Sequence, residues 1–134
     1  MMAEWVREYC LSLPGATEQI QWEDDLIFKV GGKLFAVMPL EPGGPWLSLK
    51  CSPEEFAELT ERPAIKPAAY LARAQWISLE TEDALPRREV ERLLSSSHGL
   101  VLAKLPKKIQ DKIRKSLSQK TLLRSKRARR ASAR

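Results

Sequence analysis

The side chains in this sequence best suited to a ligand are lysines interleaved with tryptophans. Lys29, Trp46, Lys50 and Trp76 fall on strand-like segments. Ammonium groups suit phosphates, and indoles suit stacking on unpaired bases. The same tryptophans would equally serve as partly buried cover for a sheet, since large aromatics favour strands whether or not they bind anything. The residues alone leave both roles open. A second basic group follows later in the chain: Lys104, Lys107, Lys108, Lys112, Arg114 and Lys115. By default it is a charged helix face. It gains weight from the basic segment after it, because clustered charges of one sign act through their summed field.

Catalytic and metal chemistry have less to draw on. Cys10 and Cys51 are too few for a disulfide framework or a cysteine zinc site, and are expected as free thiols in a reducing cytoplasm. A single histidine, His98, removes His-paired metal motifs and argues against a Ser-His-Asp triad. Placed beside Gly99, it reads as a cap or surface residue. Glu23-Asp24-Asp25, near Glu18, supplies oxygen ligands of the kind hard cations take, but lies in a turn without ligand spacing and reads as solvated. Glu54, Glu55, Glu58 and Glu61 read as a solvated helix face. Arg129-Arg130-Ala131-Ser132 has the form of a basophilic kinase site, a match short enough to arise by chance. No Gly-rich phosphate loop and no designed carboxylate pair is evident, so no enzyme activity, cofactor or metal is expected.

Charge is distributed unevenly. Of 23 Lys and Arg against 17 Asp and Glu, residues 1–100 hold 10 basic and 16 acidic side chains, whereas residues 101–134 hold 13 basic and one acidic, Asp111. A basic arm on a mildly acidic body reads as an attachment to a polyanion, nucleic acid or an anionic membrane surface. Gln119 to Arg134 carries seven basic residues, no acid and no aromatic. Such a segment buries too little surface to offset its ordering entropy and is expected to be disordered when free. The longest apolar run, Leu34 to Leu40, has seven residues and includes Pro39. A membrane span needs about 20. The charged N-terminus, with Glu4, Arg7 and Glu8, does not read as a secretory signal.

The elements that would position these residues follow from periodicity. Ala3 to Leu13 places Trp5, Val6, Tyr9, Cys10 and Leu13 on one helical face, ended by Pro14-Gly15. Thr17 to Trp22 is a short strand. Residues 26–30 and 33–38 flank Gly31-Gly32, a two-residue hairpin loop that sets Val30 opposite Lys33, Phe28 opposite Phe35 and Leu26 opposite Val37. Leu26, Phe28, Val30, Phe35 and Val37 then form the core face, with Ile27, Lys29, Leu34, Ala36 and Met38 opposite.

Trp46 to Lys50 and Ala74 to Glu80 are further strands, each with alternate residues facing the core: Leu47 and Leu49, then Ile77 and Leu79. That alternation leaves Trp46, Ser48, Lys50, Trp76, Ser78 and Glu80 on the solvent face. Ser52-Pro53-Glu54-Glu55 starts a helix with a capping box. Arg62 to Ala69 reads as a loop. Pro86 to Ser97, His98 to Leu105 and Lys107 to about Leu117 read as helices. Strands in series with helices before and after predict an α+β fold. Its single antiparallel sheet would carry helices on one face and expose the other to solvent.

Four stretches, in order, resemble the MmcQ/YjbR family of small bacterial proteins over roughly residues 3–110. They are Phe28-Lys29-Val30-Gly31-Gly32-Lys33-Leu34-Phe35-Ala36, Leu47-Ser48-Leu49-Lys50-Cys51, Pro67 with Tyr70 and Trp76, and Ala103-Lys104-Leu105-Pro106-Lys107-Lys108. The resemblance implies a frataxin-like (CyaY-like) α+β sandwich and a DNA-binding role. In that family a His-Asn-Lys run often follows the Tyr and a His precedes the Trp. Here Leu71, Ala72, Arg73 and Gln75 hold those places, so only the basic position survives, as Arg73.

Together these readings give a monomeric, cytoplasmic protein with a domain over 1–118, a basic tail over 119–134, and nucleic acid, expected to be DNA, as partner. The nucleic-acid-binding residues expected in the body are Lys29, Lys33, Trp46, Lys50, Arg73 and Trp76. Lys104, Lys107, Lys108 and Lys112 continue the set, and Arg124, Lys126, Arg127, Arg129 and Arg130 complete it in the tail. The alternative is a frataxin-like protein-interaction or metal-handling adaptor without catalytic activity.

Overall fold

Gly31 and Gly32 take φ values of +57° and +82°, the paired left-handed conformations that a tight two-residue hairpin turn requires. Around this turn the computed structural model, which describes residues 4–21, 25–40, 45–68 and 74–115, builds one antiparallel sheet. In chain order the elements are α1 (Glu4–Ser12), β1 (Ala16–Gln21), β2 (Asp25–Val30), β3 (Lys33–Pro39), β4 (Leu47–Lys50), α2 (Pro53–Leu59), β5 (Ile65–Pro67), β6 (Trp76–Leu79) and α3 (Arg87–Ala103). A last helix, α4, covers residues 107–115. The six strands lie in the order β1-β2-β3-β4-β6-β5. The fold is therefore α+β with a single antiparallel sheet, as the series of strands predicts.

One sheet face carries the main core. Leu26, Phe28, Val30, Phe35, Ala36, Met38, Leu47, Leu49, Ile77 and Leu79 pack there against Val6 and Cys10 of α1, Leu59 of α2, and Val90, Leu93, Leu94 and Val101 of α3. Ser52 caps α2, its Oγ accepting from the Glu55 amide at 3.2 Å. An Arg7–Glu18 pair at 2.6 Å ties α1 to β1. Its hydrogen bonds hold the Glu18 carboxyl below the usual carboxylate range. The basic helix α4 lies against the body by its apolar side. Ile113 packs on the main core beside Gly15, and Leu105 and Ile109 approach Gly31.

The hairpin register holds next to the turn and changes beyond it. Val30 pairs with Lys33 and Lys29 with Leu34, as the loop length predicts, but Phe28 then pairs with Ala36 and Leu26 with Met38. Phe35 is the extra residue of a β-bulge. It and Ala36 both face the core, and Val37 moves to the opposite face with Ile27.

That opposite face is covered at its centre and open at its margins, where Thr17, Gln19 and Lys66 are exposed. Ile27, Val37, Ala68 and Trp76 form a second buried cluster with Leu34 and Ala74 against it, and Ser48 and Ser78 share a buried hydrogen bond at 2.8 Å. Three further expectations are corrected. The predicted loop 62–69 contains β5, an edge strand, a sheet position that tolerates Pro67. Residues 87–103 form one helix rather than two, because neither His98 nor Gly99 interrupts the backbone bonds. His98 is buried inside it rather than capping it. The expected boundary at 118, the tail and Glu23-Asp24 lie outside the described residues.

Candidate functional site

The bulge at Phe35 decides the geometry of the molecule's basic end. Strands β3 and β4 pair at Ala36–Leu49 and Val37–Ser48. One step further, Ser97 of α3 takes the place of the ladder. Its Oγ donates to the Phe35 carbonyl at 2.6 Å and accepts from the Lys50 amide at 3.0 Å. A helix side chain thus completes the backbone bonding where the strands part.

Beside this junction is a cavity of about 330 Å3. Among the described residues, Lys33, Leu34, Lys50, Trp76, Val101, Lys104 and Leu105 line it. They come from three constraints: Lys33 and Leu34 from the hairpin register, Lys50 and Trp76 from a paired position of β4 and β6, and Val101, Lys104 and Leu105 from the end of α3. Three ammonium groups and no carboxylate line it among the described residues. Partial burial, reinforced by the neighbouring Lys104 ammonium, holds Lys50 below the usual lysine range. The site is prepared for negative charge that the described protein does not itself supply.

The predicted binding residues divide accordingly. Lys33, Lys50, Trp76 and Lys104 come together in the cavity wall. Lys29 stays outside it, half-buried, its Nζ 3.4 Å from Gln19 Oε1. Lys107, Lys108 and Lys112 are exposed on α4. The stacking surface does not form. Trp76 is only 5% exposed within the second cluster, leaving no open ring face for a base. Trp46 precedes β4 and turns to the other side of the sheet. There it packs on the main core, its ring centroid 6.0 Å from that of Trp5. Arg73, Arg124, Lys126, Arg127, Arg129 and Arg130 lie outside the described residues.

Ser97, Val101 and Leu105 did not stand out as binding residues in the sequence. A usable signal was present for Ser97. It interrupts the buried stripe Val90, Leu93, Leu94, Val101, and a polar residue at a core position requires a hydrogen-bond partner. The buried thiols offer no reactive alternative, since desolvation pushes both Cys10 and Cys51 up to about 12.

The YjbR family model matches residues 11–100. Two curated Escherichia coli proteins are similar to the chain. YjbR of strain K12 is 31% identical over 103 residues, covering 74% of this chain and 86% of the relative. YbdF of strain O157:H7 is 30% identical over 90 residues, covering 66% and 73%. Among solved structures, the Deinococcus radiodurans protein DR2400 aligns with a TM-score of 0.74 at 28% identity, covering 84% of this chain and 87% of that one. A Pseudomonas syringae protein shares the fold with a TM-score of 0.59 at 22% identity, covering 75% and 99%. With the family pattern extending from α1 through most of α3, across every strand that shapes the cavity, the chain belongs to the YjbR family.

Proposed function

We propose that this protein binds nucleic acid, DNA in the first instance, as a monomer and without catalysis, through phosphate contacts from its basic end. The observation that carries the reading is the docking of α4. It rests on the body through Ile113 and, more loosely, through Ile109, which stays 37% exposed, and Lys107, Lys108 and Lys112 stand exposed beside Lys104 and the cavity. Among the described residues none of these lysines is in an ion pair. Such a surface attracts a polyanion through phosphate contacts, which carry no sequence information, so the affinity they supply is expected to be sequence-tolerant. Two free, buried thiols are compatible with a reducing compartment such as the cytoplasm. The metal-handling alternative draws no support from the described residues, where no group of three or more His, Cys, Asp or Glu side chains gathers.

Anisotropy titrations with a labelled duplex across a salt series test the proposal. Each phosphate neutralised contributes about −0.9 to the log–log slope, so a Lys107→Ala, Lys108→Ala, Lys112→Ala variant should bind more weakly with a slope flatter by about 2.7. An unchanged slope in a folded variant removes the helix from the interface.

A further inference from the structure

The cavity beside the bulge has features that a passing sugar-phosphate backbone does not require. A backbone tracks a convex charged surface such as α4. Here three ammonium groups surround a concave space walled by Leu34, Trp76, Val101 and Leu105. Its volume of about 330 Å3 lies at the small end of the range for small-molecule pockets, roughly 300–1,000 Å3.

The chemistry of the wall narrows the ligand. Lysine meets an anion as a point charge, without the planar fork by which arginine grips carboxylate and phosphate alike, and three converging ammonium groups match a compact dianion better than a single carboxylate. Lys50 and Lys104 repel one another and Lys50 is partly desolvated. A compact dianion would relieve both effects at once, and an apolar face of its organic part would cover the aliphatic wall and the accessible edge of the indole. The Lys50 backbone is itself fixed by Ser97, so the ammonium stem starts from a rigid point.

We propose that the cavity binds a phosphomonoester whose organic part presents an apolar face, with Lys33, Lys50 and Lys104 around the phosphate and Leu34 and the edge of Trp76 against that face. The assignment is independent of the duplex-binding reading, since it uses the cavity and not the outer face of α4. The same chemistry has two sources, a free mononucleotide or the phosphorylated end of a strand.

Calorimetric titration of the full-length protein with phenyl phosphate and with inorganic phosphate is the test. Phenyl phosphate should bind one to one, at least tenfold tighter than inorganic phosphate. Lys50→Met keeps the aliphatic stem and removes a like-charge contact. It should melt no lower than the wild type and lose at least tenfold in phenyl phosphate affinity. The triple α4 variant should retain that affinity even where it has lost the duplex, which separates this proposal from the preceding one. Absence of saturable phenyl phosphate binding overturns the assignment, as does equal affinity in a folded Lys50→Met protein. Paired titrations then identify the source. Preference for a 5′-phosphorylated trinucleotide over its 5′-hydroxyl form supports a strand end, and binding of AMP without that preference supports a free mononucleotide.

Discussion

The imidazole of His98 lies edge-on to Phe35, ring centroids 5.3 Å apart. Its Nε2 is 2.7 Å from the Pro14 carbonyl oxygen, an acceptor, so Nε2–H donates. Protonation would place a second charge-bearing N–H at Nδ1 in the interior. Burial accordingly holds His98 below its ordinary 6.5, against the smaller opposing effect of the Pro14 carbonyl. A folded-state value below the unfolded one means that the unfolded chain binds more protons as the pH falls. The stability is present above about 6.5 and is lost as the pH drops through the folded-state value, by at most about 1.4 kcal/mol per pH unit for one proton. Melts between pH 7 and 5 should show a steeper decline in wild type than in His98→Gln, whose amide can still donate to Pro14. Parallel profiles would mean that His98 does not titrate in this window. In the sequence, His98 reads as a surface residue because Gly99 beside it suggests a helix break. Helical spacing from Leu94, four residues earlier, was the better guide to its burial.

At the scale of elements, the Ser97 bridge joins α3 to two strands that no longer bond to each other. Ser97→Ala would leave the Phe35 carbonyl and Lys50 amide without this partner in a buried setting, at a cost of about 1–3 kcal/mol. Denaturant titration should read that loss, and hydrogen exchange at the Lys50 amide should accelerate. Unchanged exchange at Lys50 would show that the bridge does not hold the strand end. The elements themselves were legible where local chemistry decides them: the Gly31-Gly32 turn, the Ser52 cap, and the alternation in 47–50 and 76–79. The face assignment failed from residue 36 onward. Counting by twos assumes an unbroken pleat, and the bulge at Phe35 adds one residue that tertiary packing dictates. Strand β5 was missed because three residues with a proline carry too little periodicity to register. Lys33, Lys50 and Lys104 were each identifiable as basic candidates. Their convergence was not, since it depends on the splaying of β3 from β4 and on the direction in which α3 ends.

At the scale of the whole chain, charge is polarised along the sequence. The basic excess of residues 101–134 begins at Lys104 on the rim of the cavity and continues through α4 toward the chain end. Removal of residues 119–134, which carry seven Lys and Arg, should weaken duplex binding and flatten the salt slope by up to about six units if every one meets a phosphate. The same anisotropy series reads this, and a truncated protein with the full-length slope would confine the contacts to the body.

The β3 bulge also affects how the chain can accommodate change. In an unbroken hairpin, an odd-length insertion near the turn inverts every later side chain between core and surface. Strand β3 already contains an odd residue, at Phe35, between the turn-proximal pair Lys33 and Leu34 and the core-facing Ala36 and Met38. The two halves of the strand are therefore phased separately, one by the turn and the other by the packing under α3. An added or lost residue at the turn can be taken up by reshaping the bulge, leaving the interior in phase. The turn beside the cavity can thus change in length while the core beneath it keeps its phase.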